Sequence, residues 1–128
     1  MKFGYTIIYV SNVQQTMDFY TTAFGFQTKF FDESGMYGEM NTGQTTLAFA
    51  ANGLSEQNGL NIVHNQLQNP PAGIEIAFVT DDITAGYQKA VDAGAEPLKE
   101  PTQKPWGQIV AFVRDINGVL IELCTPIQ

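Results

Sequence analysis

The chain has 128 residues, 44% of them hydrophobic and 15% charged, with six Lys plus Arg against thirteen Asp plus Glu and a net charge of -7. That length is one domain's worth and buries about two thirds of its unfolded surface; the acidity disfavours nucleic acid and anionic membranes as partners and attracts cationic small molecules. A single cysteine, Cys124, excludes an internal disulfide and a Cys-based zinc cluster, and without a basic, apolar leader or an apolar run of about 18 residues the expected setting is a reducing cytoplasm.

The chain opens on a strand, Tyr5 to Val10, where β-branched and aromatic residues crowd together. Asn12 caps a helix whose apolar residues Val13, Met17, Tyr20 and Phe24 recur at helical spacing until Gly25 stops it. Strands are expected at about 26–31, 37–40 and 45–50, separated by turns at 33–35 and 41–43. Residues 51 to 72 carry Asn52-Gly53, Asn58-Gly59 and Pro70-Pro71 and read as a long connection. A strand at 73–79 follows. Asp82 then caps a second helix, lined by Ile83, Tyr87, Ala90 and Val91 and ending at Gly94, before strands at 108–114 and 119–124 joined by a turn at Asp115 to Gly118.

The second half restarts the first. Asn12 and Asp82 lie 70 residues apart and Gly25 and Gly94 lie 69 apart, which makes the chain an internal repeat with Tyr5 opposite Glu75 and Ile7 opposite Ala77. The expected fold is α+β: two tandem βαβββ units forming a cupped mixed sheet around a cleft, with the helices outside. Unit one covers about 1–52, the connection about 53–72 and unit two about 73–128. Strand alternation puts Thr6, Ile8 and Val10 under the first helix and turns Tyr5, Ile7 and Tyr9 to the cleft; in the second unit Ile74, Ile76 and Phe78 go under the helix while Glu75, Ala77 and Val79 face the cleft.

The order of these pieces resembles the vicinal oxygen chelate superfamily of glyoxalases, extradiol dioxygenases and bleomycin-resistance proteins. The resemblance rests on Tyr5 to Val10, Phe19-Tyr20 and Phe24-Gly25-Phe26 in the first half. In the second it rests on Ile76-Ala77-Phe78, Asp81-Asp82, Pro105-Trp106-Gly107 and the closing stretch from Asp115 to Leu123. It implies a homodimer, and in enzyme members one divalent metal held by two His and two Glu, a set suited to zinc, nickel, manganese or iron. Those four positions fall on Tyr5, on Leu47 or Ala48, on Glu75 and on Glu122. Neither Leu47 nor Ala48 ligates a metal, and Tyr5 would need a phenolate, whose solution pKa is about 10. The one histidine, His64, falls in the connection, where it reads as a solvent-exposed loop residue.

The resemblance therefore points to the metal-free bleomycin-resistance branch: a small-molecule binding protein with no catalytic residues and no cofactor, sequestering a cationic or aromatic compound. Its groove would be supplied by Tyr5, Tyr9, Phe49, Glu75, Trp106 and Glu122, through charge, stacking and cation-π attraction. The alternative is a glyoxalase-type lyase or dioxygenase with one divalent metal on Glu75, Glu122 and Tyr5. Tyr37, Met36 and Met40 read as core residues first and groove residues second, and Cys124 as an inert buried thiol.

Overall fold

A computed structural model describes residues 1–127 and contains eight strands and three helices among them. In order these are β1 (Tyr5–Val10), α1 (Val13–Phe24), β2 (Gln27–Phe31), β3 (Tyr37–Asn41), β4 (Thr46–Ala51), α2 (Asn52–Gln57), β5 (Glu75–Val79), α3 (Ile83–Asp92), β6 (Glu96–Gln103), β7 (Ile109–Arg114) and β8 (Leu120–Cys124). They form two four-stranded mixed sheets of the same topology, β1-β4-β3-β2 and β5-β8-β7-β6. In each the first and last strands of a βαβββ unit run parallel and the other neighbours antiparallel. The tandem repeat expected from the sequence is thus the fold. The contacts divide the chain into unit 1, Met1–Thr21 with Gly25–Asn65, and unit 2, Thr22–Phe24 with the chain from Gln66 onward.

The helix starts are the ones the caps dictate. The Asn12 side chain accepts a hydrogen bond from the Gln15 amide at 2.9 Å, and Asp82 accepts one from Ala85 at 3.1 Å. Gly25 ends α1 with φ of 79°, a left-handed conformation that a side chain would oppose. In unit 1, Ile8, Val10, Leu47 and Phe49 turn one way and meet α1, where the Tyr20 and Phe49 rings lie 4.8 Å apart. In unit 2, Ala111, Val113, Ile121 and Leu123 are buried on the α3 side with Ile83 and Ala90.

Two elements depart from the sequence reading. β6 forms despite Pro97 and Pro101 because it is an edge strand, paired only to β7 and broken by register shifts, where a missing N–H costs no ladder bond. The connection begins with the short helix α2, whose Ser55 hydroxyl donates to the Asn52 carbonyl at 2.6 Å. Ile74 is a third correction: it precedes β5 and is 71% exposed rather than lying under a helix.

The rest of the connection is tied down by unit 2 itself. Arg114, 6% exposed, donates Nε–H to the Gly118 carbonyl at 2.9 Å, and its terminal nitrogens donate to Leu67, Gln66 and Asn69 carbonyls at 3.1, 3.2 and 2.6 Å. Gly118 has φ of 88°, and a Cβ there would stand 2.8 Å from the Gln66 carbonyl oxygen. Replacing Arg114 with Met leaves four carbonyls without their donor and is expected to cost about 2–4 kcal/mol in denaturant melts. Limited proteolysis should then cut sooner at 66–70. A melt unchanged from wild type would deny the cage its role.

Candidate functional site

The face of each sheet turned away from its helix carries the candidate residues. In unit 1 the ladder fixes three rungs. Tyr5 and Thr46 share the first, Ile7, Ala48 and Glu39 the second, and Tyr9, Ala50 and Tyr37 the third. Side chains directly opposite in such a ladder point to the same side. Tyr5, Ile7 and Tyr9 therefore stand on the open face as expected, with Tyr5 57% exposed. The one-residue uncertainty at β4 resolves to Ala48, and the same register excludes Phe49 from this face. Phe49 opposes Ile8 and is fully buried against Tyr20, so its aromatic ring serves the core.

Glu39 is the residue that the sequence reading missed. It pairs with Phe30 of β2 on one side and Ala48 on the other, and the Tyr37 hydroxyl donates to its Oε2 at 2.7 Å. Burial, and after it the hydrogen bond and charge of Glu39, push the Tyr37 phenol well above the usual tyrosine range. Lys29, at the β2 bulge, reaches across to Thr46 and donates to its Oγ1 at 3.2 Å. The available signal was alternation: Tyr37, Glu39 and Asn41 are every second residue of one strand.

In unit 2, Glu75 opens β5 opposite Leu120, and Ala77 opposes Glu122, which faces Phe112 in turn. Glu75 and Glu122 thus sit one rung apart on neighbouring strands, and their carboxyl groups hydrogen-bond each other. The Glu75 carboxyl is held above its ordinary range by partial burial first, then by the hydrogen bond and charge of Glu122. Cys124, next along the same face, is buried, and its thiol is pushed up by that burial and by the charges of Glu122 and Glu75.

Trp106 lies elsewhere. It occupies the β6–β7 turn that Gly107 closes with φ of 97°, three residues before Ile109, whose amide is bonded to Thr125. Glu122 is at the Phe112 rung, so the indole stands beyond the end of the sheet, roughly 10 Å or more along the strand from the acids at about 3.3 Å per residue. Its Nε1–H donates to Gln108 at 2.9 Å, and it borders a hollow of about 420 Å³ with Ile109, Thr125, Pro126 and Ile127. His64 is half-buried in the connection, on no strand.

These donors do not fit the divalent ion that the family's enzymes hold. Unit 1 offers a phenol and a methyl at Tyr5 and Ala48, and unit 2 offers two carboxyls already bonded to each other. Among the described residues no three His, Cys, Asp or Glu gather as metal ligands, and no helix is long and apolar enough to cross a membrane.

Two measurements check this geometry. Trp106, 66% exposed, is no core residue, so Trp106→Ala should change stability by less than about 0.5 kcal/mol, and the wild-type emission should be that of a wet indole. An alkaline absorbance titration compared with that of Tyr37→Phe should show the Tyr37 phenol resisting ionisation in the ordinary range. Glu39→Gln should bring it part of the way back, burial being the larger cause. Tyrosines that all titrate together would put Tyr37 in water.

Solved structures similar to the chain share its fold at low identity. A glyoxalase-related enzyme from Fulvimarina pelagi superposes with a TM-score of 0.83 at 17% identity, over 98% of this chain and 88% of that one. A glyoxalase/bleomycin resistance protein/dioxygenase family enzyme from Burkholderia phytofirmans PsJN gives 0.82 at 20% identity over 98% of both. TioX from Micromonospora sp. ML1 gives 0.74 at 16% over 98% of both. No curated protein matches the sequence. The family match spans residues 2–123, and the chain belongs to the glyoxalase/bleomycin resistance protein/dioxygenase superfamily.

Proposed function

We propose that the protein binds a small cationic or aromatic organic molecule without a metal and without chemistry of its own, in the manner of the superfamily's bleomycin-resistance members. The observation that carries this reading is the Glu75–Glu122 pair: two carboxyls on the helix-free face of unit 2, bonded to each other where the metal-dependent relatives place ligands. An acid pair on a sheet face costs free energy unless something compensates it. An organic cation does so, and the chain's -7 charge draws one in. Tyr5 and Tyr9 offer aromatic surface on unit 1's own face, and Trp106 offers a stacking surface of its own at the hairpin, worth about 0.5–2 kcal/mol to a bound cation.

Proflavine, a planar aromatic cation, is a suitable probe. Its fluorescence titration should saturate in the presence of chelator, and Glu122→Gln should weaken binding more at low salt than at high salt. Binding that disappears with chelator and returns with zinc or nickel would favour the lyase or dioxygenase alternative.

The pair also sets a pH signature. Cation binding favours the doubly ionised pair, so affinity should rise as pH climbs from the ordinary carboxyl range through the raised Glu75 value, and then level off. Stability of the empty protein runs the other way. The folded state holds the Glu75 proton more tightly than the unfolded chain, so the pair's contribution is complete below the unfolded value and lost as pH rises through the folded one. The buried Arg114 lies in the same row as Glu75 through Leu120 and is the charged group that faces the pair from β7. Comparison with Glu75→Gln isolates the effect; identical pH profiles for the two proteins would refute it.

A homodimer is part of the same proposal. Phe3, Ile74 and Val79 are exposed apolar residues of the kind a second copy covers. Light scattering should return twice the monomer mass at micromolar concentration; the monomer mass would rule the dimer out.

A further inference from the structure

We infer that Glu39, held in place by Tyr37, is the cation-recognising group of unit 1's open face, and that it takes an organic ammonium or similar N–H cation carried on an apolar skeleton. This rests on the small-molecule-binding reading and adds to it a residue outside the acid pair. Four features of unit 1 carry it. Glu39 stands directly across the ladder from Ala48, and paired positions place the Cβ atoms about 5 Å apart, so the methyl of Ala48 leaves the carboxylate unobstructed on that side. Ala48 is also the topological counterpart of Glu122, since each is the β-strand residue opposite the third residue of the unit's first strand, Ile7 or Ala77. Unit 1 therefore keeps an acid, moved one strand across.

The third feature is the partner. Tyr37 donates to Oε2 at 2.7 Å, which fixes the carboxylate's direction and leaves Oε1 to accept from a ligand. Tyr37 is thus a positioning residue, itself braced by the Phe30 ring at 6.4 Å between centroids. The fourth is the setting. Phe30 stands beside Glu39 on its own rung and Ile7 on the far side of Ala48, and they are 47% and 45% exposed. A hydrated inorganic ion gains nothing from such neighbours, whereas the carbon skeleton of an organic cation is buried against them. An anionic ligand is repelled. Lys29, anchored on Thr46 at the adjacent rung, is the competing cation, and its removal should help rather than harm.

Proflavine titrations of variants test this. Glu39→Gln should weaken binding about five- to tenfold at low salt and flatten its salt dependence. Tyr37→Phe should weaken it about threefold with the wild-type salt slope, because the charge stays and only its aim is lost, and a merely structural role would not leave that signature. Lys29→Met should strengthen it. Melting curves confirm folding, and should Glu39→Gln fail to fold, Glu39→Asp, which keeps the charge but shortens the reach, should still weaken binding. Affinity within twofold of wild type in both Glu39 variants overturns the inference. If Glu122→Gln weakens binding and Glu39→Gln does not, the acid-pair reading stands and this one falls; the reverse result leaves Glu39 as the cation site and removes the pair. A wild-type protein that does not bind proflavine overturns both.

Discussion

The Arg114 cage is the constraint from which the rest of unit 2 takes its place. One buried guanidinium binds the carbonyls of Gln66, Leu67 and Asn69 on one side and of Gly118 on the other, so the incoming connection and the β7–β8 turn are fixed against each other by a single side chain. Its planar fork of donors suits such a cage in a way that a lysine ammonium does not. The turn itself is closed by Asp115, whose Oδ1 accepts from the Asn117 and Val119 amides at 2.8 and 2.9 Å. That sets where β8 begins, and the start of β8 sets the rung on which Glu122 stands. Glu122 is thus positioned from beyond the strand that carries it. Just upstream, the Asn65 side chain donates to the Tyr9 carbonyl at 3.1 Å in unit 1. Adjacent residues of the connection are therefore anchored to different units.

Repetition of a βαβββ unit supplies equivalent rungs but leaves their chemistry free. Tyr5 and Glu75 occupy the same place in their units, as do Ala48 and Glu122. In unit 2 both positions are acids. In unit 1 one is a phenol and the other a methyl, and the carboxylate has moved to β3. The sheet tolerates the move because partners across a ladder share a face whichever strand carries the charge. What is held constant between the units is packing: the caps at Asn12 and Asp82, and the alternating apolar residues beneath the helices.

That division explains what was legible in the sequence. Periodicity, caps and turn glycines act locally, so β1, α1, β5, α3 and the repeat were readable, and so was the outward direction of Tyr5, Glu75 and Glu122. β6 was hidden because Pro97 and Pro101 argue against a strand until one knows that it lies at an edge. Phe49 and Ala48 differ by one residue, and only the ladder register decides which faces the helix. Glu39 escaped for a related reason: its importance comes from standing opposite Ala48, a pairing that no local pattern announces. Trp106 was placed near the acids because both were expected to face one space; the strand rise along β7 separates them.

The two faces also differ in where their bonding proton resides. In unit 1 it belongs to the Tyr37 phenol, held above the tyrosine range by burial and by the carboxylate it serves. In unit 2 it is the carboxyl of Glu75 that is held above its ordinary range, by burial first and then by the hydrogen bond and charge of Glu122. A cation at Glu39 would leave the Tyr37 hydrogen bond in place, while one between Glu75 and Glu122 would favour the ionised form of the pair. The repeat places acids on both open faces, but the partner of each acid differs, a phenol in one unit and a second carboxyl in the other.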